Sequence, residues 1–348
     1  MSLLKINHLH KSFEGVKAVN DISITLEKGN ILAILGESGS GKTTLLHLIA
    51  ALYEPDSGTL TLDNERITPP SEKLIAGHPD IKLVRQDYGL FPNMSIRANI
   101  AYELRYYEEN YRNERVDKLL EISGLTHVQN HVPRQVSGGE QQRATIVKAI
   151  AEEPKLLLLD EPFSHLDAVN KRRLKNEVLN LIKAEEVSCI FVTHDVADAY
   201  GMADELLIMQ NGNALQLGSP EEIYQNPINQ YVAEITGEVY FSSELGVLSA
   251  EFTKTQFNNS NHTDNFEYEK PLSTQHRTAD RSELRTLLRP SQIRVSEKSD
   301  IRATILSVKF LGAYYEVLLQ VDNVQLKMYS FDKLSVGEKI GIEIKSLS

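Results

Sequence analysis

The run Gly36-Glu-Ser-Gly-Ser-Gly-Lys-Thr43 constrains this chain more than any other stretch of it. A continuous apolar segment, Ile31 to Leu35, precedes it and reads as a buried strand. A helical pattern follows, from about Lys42 to Leu52. Strand, glycine-rich turn and helix in that order give the context in which backbone N–H groups wrap a phosphate. The helix N-terminus adds partial positive charge to the cradle. Lys42 is placed to reach the β- and γ-phosphates of a nucleotide, and the Thr43 hydroxyl to ligate Mg²⁺.

A second apolar segment, Leu156 to Leu159, ends in Asp160 and Glu161. A buried strand would deliver both acids at its carboxyl end, where open α/β sheets bind ligands. Asp160 then suits contact with Mg²⁺ through water, and Glu161 suits a general base that orients an attacking water. Two acids after a strand can also serve only as a helix cap; the phosphate loop upstream favours the catalytic reading. Ser137-Gly-Gly-Glu140 opens a helix with capping-box spacing. The two glycines also leave its N–H groups open to an anion, and the two roles are compatible.

Alternation of strands and helices over residues 1–235 predicts an α/β domain with a parallel sheet and helices packed on it. Ile22, Ile24 and Leu26 alternate as in a half-buried strand, and Ile81–Val84 and Ile190–Val192 read as further strands. Residues 95–151 read as helical, with apolar sets Ile96, Ile100, Leu104, Tyr107 and Val116, Leu119, Leu120, Ile122. Leu174, Val178, Leu181 and Ile182 mark one face of a helix, and another helix is predicted from about Asp195. Residues 236–286 turn polar and read as a linker with the first strands of a C-terminal region. Residues 287–348 carry short β-rich runs that predict a small all-β barrel of the oligomer-binding type.

The chain carries 37 Lys and Arg against 48 Asp and Glu, a formal net charge of −11. That balance argues against nucleic acid as a partner, which usually leaves a basic footprint. The single cysteine, Cys189, excludes a disulfide within the chain and suits a reducing compartment. It reads as a small buried core residue. No segment approaches the roughly 20 apolar residues of a membrane span, so a membrane role would need a partner that spans.

Taken together, these motifs resemble the ATP-binding cassette (ABC) family. The resemblance rests on the phosphate loop, Gln86, the Ser137-Gly-Gly-Glu-Gln141 signature, Asp160-Glu161, Pro162-Phe-Ser-His-Leu-Asp167 and Thr193-His194-Asp195, in family order. Gln86-Asp-Tyr-Gly-Leu-Phe-Pro-Asn-Met-Ser95 looks like the solute-importer branch. Leu288-Arg-Pro-Ser-Gln-Ile-Arg294 and Phe310-Leu-Gly-Ala-Tyr314 look like the transport-associated (TOBE) barrel of those importers. The fold implied is a P-loop NTPase cassette, with a helical subdomain at about 88–145, followed by the OB-like barrel.

The resemblance implies an ATPase with ATP and Mg²⁺ as cofactors, acting as the motor of an importer. Gly36, Glu37, Ser38, Gly39, Ser40, Gly41, Lys42, Thr43 and Thr44 would hold the phosphates. Phe13, which by itself reads as a core aromatic, would stack on adenine. Thr43, Gln86 and Asp160 would serve the metal. Glu161, His194, Gln86 and Lys42 would be catalytic. Ser137, Gly138, Gly139 and Asp167 would complete the site of a second copy of the chain. Transmembrane permease subunits and, indirectly, a periplasmic or surface solute-binding protein are the implied partners, with the chain peripheral on the cytoplasmic face of the membrane.

The departures from the family pattern are Phe13 for Tyr, Val136 for Leu, Glu140 for Gln, Lys148 for Arg, and His165 where Asn or Ala is common. None removes a catalytic group. Ferric iron, polyamines, sulfate, molybdate and sugars are the implied solutes, iron or polyamine first. The alternatives are an ABC ATPase acting on nucleic acid or ribosomes, and a P-loop kinase, which would carry an acceptor site in place of the signature.

Overall fold

The computed structural model describes residues 2–85, 89–164, 167–241 and 287–344. Gln86, His165 and most of the segment 236–286 lie outside them. The chain forms two compact units, the first ending at Ile223 and the second beginning at Tyr224.

Among the described residues, the first unit holds β1 (Ser2–Phe13), β2 (Val16–Glu27), β3 (Ile31–Leu35), β4 (Ser57–Leu62), β5 (Glu65–Arg66), β6 (Ile81–Val84), β7 (Leu156–Asp160), β8 (Ser188–Thr193), β9 (Glu205–Gln210) and β10 (Asn213–Gly218). One sheet has the order β10-β9-β3-β8-β7-β6. Its strands run parallel except β10, which pairs antiparallel with β9. β3 and β8 are buried at every residue, which is why they read as apolar runs rather than alternating ones. Each fully buried Leu, Ile or Val contributes about 1.5–3 kcal/mol relative to exposure. The register aligns Leu35 with Thr193 and Asp160 with Val192, so β3, β7 and β8 deliver their carboxyl ends to one edge. Cys189 is buried in β8, where desolvation holds its thiol protonated.

A second, antiparallel sheet has the order β2-β1-β4-β5; the alternation of Ile22, Ile24 and Leu26 lies in β2 as expected, but β1 was not anticipated from the sequence. β1 breaks the alternation that would have revealed it. Leu4, Ile6 and Leu9 are all buried, and the register shifts between Ile6 and Leu9. His8 sits there with a φ of 48°, one extra residue that returns Leu9 to the core face. At the Asp63-Asn64 turn both residues have positive φ, the form a two-residue hairpin between β4 and β5 demands.

The helices of this unit are α1 (Lys42–Ile49), α2 (Ile96–Glu103), α3 (Glu109–Ile122), α4 (Gly138–Ile150), α5 (Ala168–Ala184) and α6 (Val196–Ala199), with α7 (Pro220–Gln225) at its end. α2, α3 and α4 pack together through Ile96, Ile100, Val116, Leu119, Leu120, Ile146 and Val147, all buried. Asn99, fully buried, accepts from the Phe91 N–H at 2.6 Å and donates to Met94 O and Ser95 O, fixing the entry to α2. Two residues assigned to apolar faces are exposed, Tyr107 and Ile122. Each lies at or beyond a helix end, where helical spacing no longer fixes a face. The helix predicted from Asp195 is a single turn.

The second unit contains α8 (Gln230–Ile235), a short pair β11 (Tyr240–Phe241) and β12 (Leu287–Leu288), and five strands: β13 (Ile293–Val295), β14 (Arg302–Phe310), β15 (Tyr315–Val321), β16 (Val324–Ser330) and β17 (Lys339–Ile344). The five strands form an antiparallel sheet in the order β13-β17-β14-β15-β16 around a core that includes Ile305, Val317, Leu319, Leu326, Met328 and Ile342. Arg289 is fully buried here and donates to Tyr224 O at 2.9 Å and Thr236 Oγ1 at 3.1 Å. Its guanidinium lies 3.8 Å from the Tyr224 ring centroid. Among the described residues, no helix is long and apolar enough to cross a membrane.

Candidate active site

The loop between β3 and α1 is shaped by close backbone neighbours. A Cβ on Gly36 would lie 2.4 Å from Met209 O, and one on Gly41 2.0 Å from Ala18 O. Gly41 has a φ of 101°, which also excludes other side chains. By contrast, Gly39 faces open space, and Glu37 and Ser38 are exposed beside it. The loop is thus fixed from behind by β2 and β9 and open in front.

Lys42 is buried at the first position of α1, and its ammonium donates to Gly36 O and Glu37 O, each at 2.8 Å. An ammonium has three donors, so one remains after these two bonds. Desolvation lowers the Lys42 pKa, against the opposing charges of Glu161, Asp160 and Glu37. Ser40 Oγ is buried among the loop atoms and has no partner. Thr44 is half-buried behind Thr43.

Thr43 Oγ1 donates to Asp160 Oδ1 at 3.2 Å, joining the start of α1 to the end of β7. Burial raises the Asp160 carboxyl above the usual aspartate range, and the Thr43 bond and the His47 and Lys42 charges offset this only partly. A carboxylate short of compensation beside the Thr43 hydroxyl suits a hard cation. Among the described residues, no group of three or more His, Cys, Asp or Glu could hold a metal by itself. Thr43 and Asp160 would therefore share the ion with phosphate oxygens. With the unpartnered Ser40 hydroxyl and the open face at Gly39, the residues present fit a magnesium nucleotide.

Glu161 is a non-glycine residue with a φ of 47°. Strain of this kind persists only where neighbours fix the backbone. Its N–H donates to Val192 O at 3.2 Å, and the Ser164 hydroxyl donates to its carbonyl at 2.9 Å. His194, which follows β8, places Nδ1 3.2 Å from Glu161 Oε1. The carboxylate can only accept, so Nδ1 carries the proton in that contact. Lys42, Thr43, Asp160, Glu161 and His194 thus converge on one edge of the sheet.

Other candidates stand apart. Ser137 caps α4: its hydroxyl accepts from the Glu140 N–H at 3.3 Å, and Glu140 Oε2 accepts from the Ser137 N–H at 2.8 Å. Ser137 and Gly138 are exposed, and a Cβ on Gly139 would meet nothing within 4 Å. Asp167 caps α5 by accepting from the Val169 and Asn170 N–H groups. Phe13 is not a core aromatic; it is 43% exposed at the end of β1, edge-on to Tyr53 at 5.7 Å.

A family model described as "ABC transporter" matches residues 19–164. Over 98% of this chain and 97% of its own length, the Fe(3+) ions import ATP-binding protein FbpC 2 of Pectobacterium atrosepticum is 33% identical. This chain is an ABC transporter ATP-binding subunit. As such it binds ATP and is an ATPase. A second relative, the spermidine/putrescine import ATP-binding protein PotA of Nitratidesulfovibrio vulgaris, is 34% identical over 84% of this chain and 78% of that protein. Among solved structures, an ATP-binding cassette captured as a dimer in a post-hydrolysis state with ADP and Pi matches with a TM-score of 0.54 and 26% identity. That match covers 62% of this chain and 98% of the other.

The ABC motifs led to every residue described above except those that press on the loop or brace it. The backbones of Ala18 and Met209 shape it, and His47 lies near Asp160. None of the three lies in a motif. For Ala18 and Met209, only Gly36 and Gly41 hinted that some backbone must approach closely.

Proposed function

We propose that this chain is the ATP-hydrolysing motor of an importer, working as a pair of copies beneath separate membrane permeases. The observation that carries the reading is the assembly of Thr43 with Asp160 and of Glu161 with His194 at one sheet edge, while Ser137 and Gly138 stand exposed elsewhere. One chain carries two anion-binding helix starts, but only one lies beside the acids. A second copy, turned head to tail, would bring its Ser137–Gly139 and Asp167 to the first copy's nucleotide.

In this reading Lys42 and the loop N–H groups bind the phosphates, and Phe13 offers its exposed ring to the base. Mg²⁺, when bound by Thr43 and Asp160, would supply charge neutralisation at the phosphates. Glu161 orients the attacking water and takes its proton. His194 holds Glu161 through Nδ1–H. To donate to the γ-phosphate at the same time, the ring must carry a proton on Nε2 as well. Gln86 would sense the metal and the water.

The relatives' names place Fe(3+) ions and spermidine/putrescine first among solutes to test for this chain. A solute-binding protein outside the membrane would deliver them, and this chain would sit on the cytoplasmic face. The test is ATP-driven uptake by vesicles carrying this chain and its permeases, with Fe(3+), spermidine and sulfate compared. Uptake that continues without this chain, or that needs no ATP, contradicts the proposal.

A further inference from the structure

His194 is carried on a short turn between β8 and α6, and the residues on both sides of it are fastened. Asp195 Oδ1 accepts from the Ala197 N–H at 2.9 Å and caps α6. Its other oxygen, Oδ2, accepts from Lys171 Nζ at 2.6 Å. Asp198 is buried, with Oδ1 2.8 Å from the same Lys171 ammonium. Asp198 Oδ2 accepts from the Thr193 hydroxyl at 3.0 Å, and that hydroxyl accepts from the Asp195 N–H at 3.0 Å. Thr193, Asp195 and Asp198 thus form one network, and Lys171 anchors it.

Lys171 lies on α5 one turn after the Asp167 cap, and its N–H makes the helical bond to Asp167 O at 2.8 Å. Lys175, a turn further on, donates to Ala197 O and sits 3.9 Å from Asp198. Burial lowers the Lys171 pKa, but the bonds to Asp195 and Asp198 outweigh it and keep the ammonium charged. Lys175 shifts downward, chiefly through burial. Lys171 is therefore the charged centre of a bridge from the start of α5 to the turn that carries His194.

We infer that Lys171 is a positioning residue for hydrolysis: through Asp195 and Asp198 it holds His194 against Glu161 and ties that contact to the Asp167 end of α5. A change at Asp167, the expected seam with a second copy, would reach Glu161 by this route. The inference rests on the proposed roles of Glu161 and His194.

The test measures ATP hydrolysis by the full-length chain at varied Mg-ATP. Lys171→Met should lower kcat about tenfold and leave KM within about twofold, because binding groups are untouched. Lys171→Arg should restore most of kcat by keeping the charge. In a His194→Ala background, Lys171→Met should change the residual rate less than about twofold, because the ring it positions is gone. Asp195→Asn keeps the α6 cap, loses the charge and should lower kcat in the same direction. An unchanged kcat in Lys171→Met, or an equal further loss in the His194→Ala background, overturns the inference. Should Lys171→Met not fold, a wild-type kcat in Asp195→Asn overturns it. A wild-type chain that does not hydrolyse ATP refutes the site reading itself, before any variant is compared.

Discussion

At the residue scale, the site separates groups that hold the nucleotide from groups that act on water, and substitution should separate them too. Glu161→Gln keeps the shape and the backbone bonds to Val192 and Ser164 but removes the base. It should lower turnover by about 10² to 10⁴-fold and leave ATP affinity within about twofold, read by steady-state hydrolysis and equilibrium nucleotide binding. Lys42→Ala removes a buried cation whose remaining donor faces the open loop. A charge-assisted bond is worth about 1.5–3 kcal/mol, so ATP affinity should fall by at least about tenfold, seen in the same binding assay. An affinity unchanged in Lys42→Ala would place the phosphates elsewhere. Glu161 also carries a positive φ, so its carboxylate is aimed by a strained backbone that only its surroundings maintain.

At the element scale, what the sequence made legible follows from burial. Strands covered on both faces, β3, β7 and β8, appear as unbroken apolar runs, and the residues at their ends were found with them. The α5 face of Leu174, Val178, Leu181 and Ile182 is buried as its spacing demands. β1 was missed because the extra residue at His8 breaks the alternation. The bridge from Lys171 to Asp195 and Asp198 was also missed: it joins charged residues far apart in the chain, and no local pattern reports such pairs. Arg289 was quoted only as part of a resemblance, yet it is fully buried and satisfies backbone carbonyls at Tyr224 and Ala233. Arg289→Met would remove the guanidinium's bonds to the Tyr224 and Ala233 carbonyls and to the Thr236 hydroxyl. A hydrogen bond to a charged group is worth about 1.5–3 kcal/mol, so the second unit should lose at least about 2 kcal/mol of stability, measured by denaturant unfolding. A midpoint equal to wild type would contradict the bonding described.

At the scale of the whole molecule, the chain has a nucleotide site that looks unfinished. The loop is open in front, and the helix start at Ser137 stands exposed. Pairing two copies resolves both features at once. Ser137→Arg should therefore bind ATP with near wild-type affinity yet hydrolyse it at least about tenfold more slowly, because the arginine blocks the partner's nucleotide while leaving Lys42 untouched. Normal hydrolysis in that variant would mean that each chain works alone. The most direct measurement is the solution mass of the Glu161→Gln chain with and without Mg-ATP. A shared site predicts a single chain without nucleotide and twice that mass with it, because ATP bound but not hydrolysed holds the pair closed. A chain that binds Mg-ATP and keeps the mass of one copy would contradict the shared site.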